Sequence, residues 1–549
     1  MNIEKRALLA IVISMAILLL TQPLLVKYFP QPKQQQKAPA ADVKPRAAAA
    51  AAPSGIQKDE GQAQPIKPAA GREITFENED YRAVLSDVGG GIKSITLKKH
   101  FDSSGKSIVL FDEPNPLDAT FVVSGLEPGL DKAIFSYSTR PGGVIFTVKS
   151  PSGLSIEKEV VFQPGKYAIQ LRQTLTNYSN QSRIFNYSIV GGSGLTDLSA
   201  QDEMYAEIVK QIDGKITNVN AKSIKKPVSW EGMQVNWISL KARYFSLIMK
   251  PPLSFKTAYS NMLPDKRLQS HIGSADFTIA PNSSVTHDFI LYAGPNEHDK
   301  MQSLKLGIED SLYLGFTGSI GRILFVILKH IHVVVRNWGL AIIFLTVLIN
   351  ILMFPLTFKG IKAMKQMQAL QPKIEALRKA HKGKGDSQKL NKEVMELYRK
   401  YKINPMGGCL PLILQMPVFF ALYQVLMRSI ELRGAPFLWI KDLSQPDRLI
   451  VFKDSIPFVG NELNILPILM AIAMFFQQKL STPPQAGSND QMVQQQKMML
   501  IFMPILFGFM FYHLPSGLVM YWLTNTLLTL GEQELFLKKQ MFHVEHSEG

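Results

Sequence analysis

With 549 residues the chain has room for more than one domain, and its 46% hydrophobic content, gathered into long runs, excludes a simple soluble enzyme. The formal net charge of +16 is concentrated beside those apolar runs, which assigns it to membrane topology and lipid surfaces rather than to specific nucleic-acid binding. The single cysteine, Cys409, excludes an intrachain disulfide or a multi-cysteine metal site and reads as a small packing residue.

In residues 1–29, Lys5 and Arg6 precede ALLAIVISMAILLLTQPLLV with no small-residue cleavage site directly after it. This predicts an uncleaved transmembrane anchor with its N-terminus in the cytoplasm. Residues 30–71, rich in Pro, Gln and Ala, can bury little and are predicted to be a disordered linker. Over 72–300 short runs such as YRAVLSDV, GVIFTVKS and SVTHDFILYA are separated by Gly, Pro, Asn and Ser, the pattern of an antiparallel β-sandwich.

Residues 318–337 place Arg322, Lys329, His332 and Arg336 in one narrow helical arc, with Ile, Leu, Phe and Val around the remainder. The expectation is an interfacial amphipathic helix whose charges face headgroups. Its histidines have no companion ligands, so no metal site is predicted. An apolar span follows at 338–358 and carries Thr346 and Asn350 one turn apart.

Residues 359–404 hold thirteen Lys or Arg against four Asp or Glu, which puts this segment in the cytoplasm and the β domain outside. Met367, Leu370, Ile374, Leu377 and His381, then Leu390, Val394, Leu397 and Tyr401, follow helical spacing on either side of a GKGDSQ break. An antiparallel helical hairpin is predicted, with Pro372 kinking its first helix and Asp386 or Ser387 capping its second. Met364, Met367 and Met395 are candidates for an adaptable capture surface, or are ordinary hairpin core.

A third span at 405–428 contains Gln415 and Gln424. An external loop (429–462), a fourth span (463–480), a cytoplasmic loop (481–495), a fifth span (496–514) and a sixth (517–537, with Tyr521, Trp522, Thr524 and Asn525) follow, before a cytoplasmic tail (538–549). The apolar run of the fourth span covers only about 21 Å against roughly 30 Å of hydrocarbon, which predicts local thinning of the bilayer. The fold class is thus a polytopic α-helical membrane protein of six spans with a large extracytoplasmic antiparallel β-sandwich and a cytoplasmic helical hairpin. Polar groups at membrane depth need either a wet cavity or partners on neighbouring helices, and both remain open for Thr346, Asn350, Gln415, Gln424, Tyr521, Thr524 and Asn525.

No Gly-rich phosphate loop, HExxH or Gly-x-Ser-x-Gly occurs, so neither catalytic residues nor a cofactor are predicted. Handling of polypeptide within the bilayer fits best. A solute channel or transporter, or a membrane-anchored external binding module, are the other classes.

The motifs NWGLAIIFLT leading to FPLT, LQPKIEALR, NPMGGCLPLILQMPVFFALY and PSGLVMYW, together with the order of segments, resemble the YidC family of membrane protein insertases in its long Gram-negative form. The resemblance implies a bacterial inner-membrane protein with a periplasmic β domain and a five-helix core around a hydrophilic groove closed toward the outside. It also implies insertion of nascent membrane proteins, with the ribosome, the Sec translocon and membrane lipids as partners. Family members usually carry an arginine where this chain has Asn350 and often a tyrosine where it has Trp522. The groove is then expected to work through uncharged groups, Trp522 included.

Overall fold

The computed structural model describes residues 71–538, apart from 103–104, 195–204, 233, 264, 266, 314, 382–386, 402, 404–409, 457–459 and 482–489. The expected anchor (1–29), nearly all of the linker, Cys409, Asp386, most of the 481–495 loop and the tail beyond Lys538 lie outside the described residues.

The β-rich region is a sandwich because its strands alternate inward and outward side chains with period two. Leu154–Gln163 and Ala168–Asn177 bury nearly every second residue. They lie within a nine-stranded antiparallel sheet ordered Lys215–Asn220, Glu207–Ile212, Val235–Lys241, Phe245–Lys250, Ser283–Pro295, Ala168–Asn177, Leu154–Gln163, Gly143–Lys149 and Ser136–Arg140. Two smaller sheets cover its inner face. From the four-stranded one, Phe76 stacks on Phe162 and Tyr81 meets it edge-on; from the five-stranded one, Phe255 packs edge-on against Phe289.

One cation breaks the apolar interior. Lys158 is fully buried and donates to the carbonyls of Gly89 and Phe121, both at 2.7 Å. Gly89 and the adjoining Gly90 take φ of 70° and 59°, a left-handed turn open to glycine that aims the Gly89 carbonyl inward. Burial draws the Lys158 ammonium down to about 7.

Past the sandwich, α1 (His298–Ser303) and a short 3-10 turn (Ile308–Leu312) lead into α2 (Gly315–Val335). Arg322 pairs with Asp310 at 3.1 Å and Lys329 with Asp299, so two charges of the α2 stripe meet carboxylates of the preceding segment. The third, Arg336, closes the helix at φ 54°, and His332 stacks on Trp338 at 3.8 Å. Leu324, Phe325 and Leu328 face inward, while Ile323, Val333 and Val334 are exposed.

Helix α3 (Trp338–Ala369) runs 32 residues without interruption, through Pro355, into the basic segment. Thr317–Val335 of α2 and Trp338–Met367 of α3 are long and apolar enough to cross a membrane. The α3 helix ends at Ala369, and Pro372 stands in the first turn of a new helix, α4 (Gln371–Ala380). Proline therefore starts a helix here instead of kinking one, because a first-turn residue has no intrahelical N–H bond to lose. Helix α5 (Ser387–Lys400) packs back on α4 around Leu370, Ile374 and Ile403, with Met367, Val394, Leu397 and Tyr401 at the margin. The periodicity in the sequence anticipated that seam.

Helices α6 (Leu410–Arg428), α7 (Ile465–Ser481), α8 (Asp490–Phe511) and α9 (Ser516–Lys538) complete the helical region. Helix α7, with 17 residues, is a short apolar helix, as is the Leu500–Phe511 part of α8. Leu345, Ile349, Leu422, Met470, Phe511 and Leu518 form the shared core of this bundle.

The β domain is fastened to the C-terminal end of α6. Arg243, buried, donates to the Met427 carbonyl at 2.7 Å and the Ser444 carbonyl at 3.1 Å. Nearby, Glu207 bridges Arg428 at 2.9 Å and Lys241 at 3.6 Å, and Lys241 also donates to the Ser311 carbonyl.

Candidate functional site

Four helices place polar side chains around one cavity of about 280 Å³. Helix α3 contributes Asn350 and Thr357, which lie two turns apart, and α6 contributes Gln415. Helix α7 supplies Gln477 and Ser481, and α9 supplies Asn525, Thr529 and Gln533; within each helix the spacing of four puts them on a single face. Met353, Leu356, Ile361 and Met364 form the apolar part of the wall.

The polar groups are joined across helices. Asn350 donates from Nδ2 to Asn525 Oδ1 at 3.0 Å and to its own helix at the Thr346 carbonyl, 2.9 Å away. The Gln415 amide donates to the Tyr521 hydroxyl, and Ser481 donates to Gln533 Oε1 at 3.1 Å. Both explanations for a polar group at membrane depth therefore hold together here. The amides tie helices to each other and also wall a cavity, since each has more donors and acceptors than these bonds use.

The residues singled out from sequence separate into groups. Asn350, Gln415 and Asn525 line the cavity. Thr346 is fully buried and donates back to the Ile342 carbonyl at 2.7 Å, so it supports Asn350 from behind. Tyr521 is buried behind Gln415. Trp522 sits in an aromatic cluster, 4.8 Å from Phe419 and 5.3 Å from Phe511, and half-buried Thr524 is not among the lining residues.

Gln424 does not reach this cavity. It lines a second one, about 260 Å³, between α2, α6 and the β domain, together with Lys241, His298, Arg428 and Glu431. Nine residues at 100° each turn Gln424 to the opposite face of α6 from Gln415, a signal present in the sequence. Burial pulls the Lys241 ammonium down to about 8 against the opposing pull of Glu207, and it raises the Glu431 carboxyl.

Of the hairpin methionines, Met364 lies on the cavity wall, Met367 at the hairpin seam and Met395 on an exposed face. Sequence reasoning missed Thr357, Gln477, Ser481, Thr529 and Gln533. Their i, i+4 spacing was the available signal, but polar residues near the end of a span look ordinary.

Comparison with known proteins extends over the whole described chain. Residues 330–543 match the family model described as 60Kd inner membrane protein, and residues 73–327 match the YidC periplasmic domain. The membrane protein insertase YidC of Geotalea daltonii is 33% identical over 96% of this chain and 98% of its own length. That of Geobacter metallireducens is 34% identical over 97% and 98%. A crystal structure described as an active YidC insertase with the first transmembrane domain resolved aligns over 84% of this chain and 92% of that one, at 19% identity and a TM-score of 0.36. With its β domain and helical region both matched and relatives aligned nearly end to end, the chain belongs to the YidC family of membrane protein insertases.

Proposed function

We propose that this insertase works through the amide-lined cavity between α3, α6, α7 and α9, which receives the hydrophilic flank of an incoming segment while its apolar part passes into lipid. The observation that carries the reading is a polar cavity of about 280 Å³ set among apolar helices. An unsatisfied backbone group in hydrocarbon costs several kcal/mol, and a wet, hydrogen-bonding wall shortens the path over which that cost applies. Burial of roughly twenty apolar residues then drives the client into the bilayer, so no nucleotide and no catalytic step are required.

The topology in this reading has six spans: the 1–29 anchor, then α3, α6, α7, α8 and α9. The β domain lies in the periplasm, both termini lie in the cytoplasm, and α2 lies along the outer membrane surface. Helices α4 and α5 form the cytoplasmic hairpin that meets the nascent chain at the ribosome, with Met364, Met367 and Met395 as adaptable contacts. The protein acts alone or beside the Sec translocon.

Reconstitution tests the route. Purified protein in liposomes is expected to insert a small two-span client without ATP, and Asn350→Leu combined with Thr346→Val to slow insertion roughly ten-fold. Undiminished insertion by the double variant would remove the cavity from the mechanism.

A further inference from the structure

The second cavity, between α2, α6 and the β domain, has no part in the route proposed above, yet its wall holds donors that the described residues leave unused. Lys241 has three N–H groups; one goes to the Ser311 carbonyl and one toward Glu207 at 3.6 Å. Arg428 spends Nη1 on Glu207 at 2.9 Å, and its Nε and Nη2 make no hydrogen bond to a described residue. Gln424, one turn before Arg428 on the same face of α6, has an amide without a partner among the described residues. His298 is 7% exposed, and its Nδ1 is buried with no hydrogen-bond partner among them.

The carboxylates beside these donors are already engaged. Glu207 accepts from Arg428 through Oε1 and from Asn218 Nδ2 through Oε2 at 2.8 Å. Glu431 accepts from Ser429 Oγ at 2.7 Å, and burial raises its carboxyl, which favours the neutral form with an O–H of its own. Buried cations with spare N–H groups recover their lost hydration when an anion sits between them. We infer that this cavity binds a phosphate group, held by Lys241 of the β domain together with Arg428 and Gln424 of α6. The guanidinium offers a planar fork to two phosphate oxygens, and the ammonium adds a point charge. At about 260 Å³ the space exceeds a single ion and has room for a substituent on the phosphate. Arg428 ends α6, which in the topology proposed above is the depth of lipid phosphates, so an anionic headgroup is one source of the group and free phosphate the other.

The test titrates purified full-length protein in a neutral detergent with short-chain phosphatidylglycerol in one arm and inorganic phosphate in the other, and calorimetry reads binding. Saturable binding of a single equivalent is expected. Gln424→Leu is expected to weaken it about ten-fold through loss of hydrogen bonds to a charged group. Glu431→Gln is expected to tighten it about three-fold, since it keeps a donor and removes a competing charge. Neither side chain takes part in the Arg243 or Glu207 contacts, so both variants leave the joint to the β domain intact. Lys241→Met combined with Glu207→Gln removes a cation along with its counter-charge and is expected to abolish binding. Binding of the lipid alone supports a headgroup site, and binding of inorganic phosphate supports a site for the phosphate itself, independent of the proposed topology. Absence of saturable binding in both arms, an affinity unchanged by Gln424→Leu, or weaker binding by Glu431→Gln would overturn the inference and leave the insertion route untouched.

Discussion

Lys158 shows how a single buried group fixes a pH response. Its folded pKa, about 7, lies below the roughly 10.4 of an exposed lysine, so between those values the unfolded chain holds more protons than the folded one. Stability therefore rises with pH across that window, and falls as pH drops toward 7. The neutral amine still has two hydrogens for the Gly89 and Phe121 carbonyls. The melting temperature of the purified protein is expected to climb by on the order of a few degrees from pH 7 to 9, and by less in Lys158→Met. An identical climb in both would remove Lys158 as its source. The alternation of Leu154, Ile156, Lys158, Val160 and Phe162 puts Lys158 in phase with the inward residues, but the carbonyls of Gly89 and Phe121 that receive it lie far away in the chain and could not be read from the strand. Asn350, Gln415 and Asn525, in contrast, were legible as amides in apolar runs, where exposure to lipid would leave them unpaired.

At the scale of elements, hydrophobic spacing placed the helices well, and end chemistry placed them less well. The seam of the α4–α5 hairpin follows its 3-4 pattern, whereas Pro372 was misread because a proline inside an apolar period permits either a kink or a new start. The seam is small, resting on Leu370, Ile374 and Ile403, so it has little reserve. Ile374→Ala is expected to cost about 2–4 kcal/mol locally. Hydrogen exchange across residues 371–401 should then speed up while α6 and α9 keep their protection. Slow exchange throughout the variant would show that the hairpin is held by something other than this seam. The polar ends of α7 and α9 were hidden for a different reason: Gln477, Ser481, Thr529 and Gln533 lie in stretches whose composition is that of any span leaving the membrane.

For the whole molecule, a β-sandwich domain followed by a region of apolar helices could be read from sequence, but the joint between the two could not. Arg243 and Glu207 lie in unremarkable β-rich sequence, and their partners are far away in the chain. Removing residues 72–296 strips Arg428 of Glu207 and removes the buried guanidinium from the carbonyls of Met427 and Ser444. Reconstituted insertion is expected to persist in that deletion, with a lowered melting temperature for the helical region, and Arg243→Ala in the intact chain to cause part of the same loss, about 1–3 kcal/mol. Unchanged melting in both would mean that the joint contributes nothing to the bundle.

The acceptors in that joint are main-chain oxygens, present whatever residue occupies position 427 or 444. Substitutions at positions 427 and 444 can thus accumulate without breaking these two bonds, provided the backbone path is kept. The side-chain half of both bonds is Arg243, so sequence drift there has no substitute, whereas the neighbouring Glu207–Arg428 pair needs both of its partners kept.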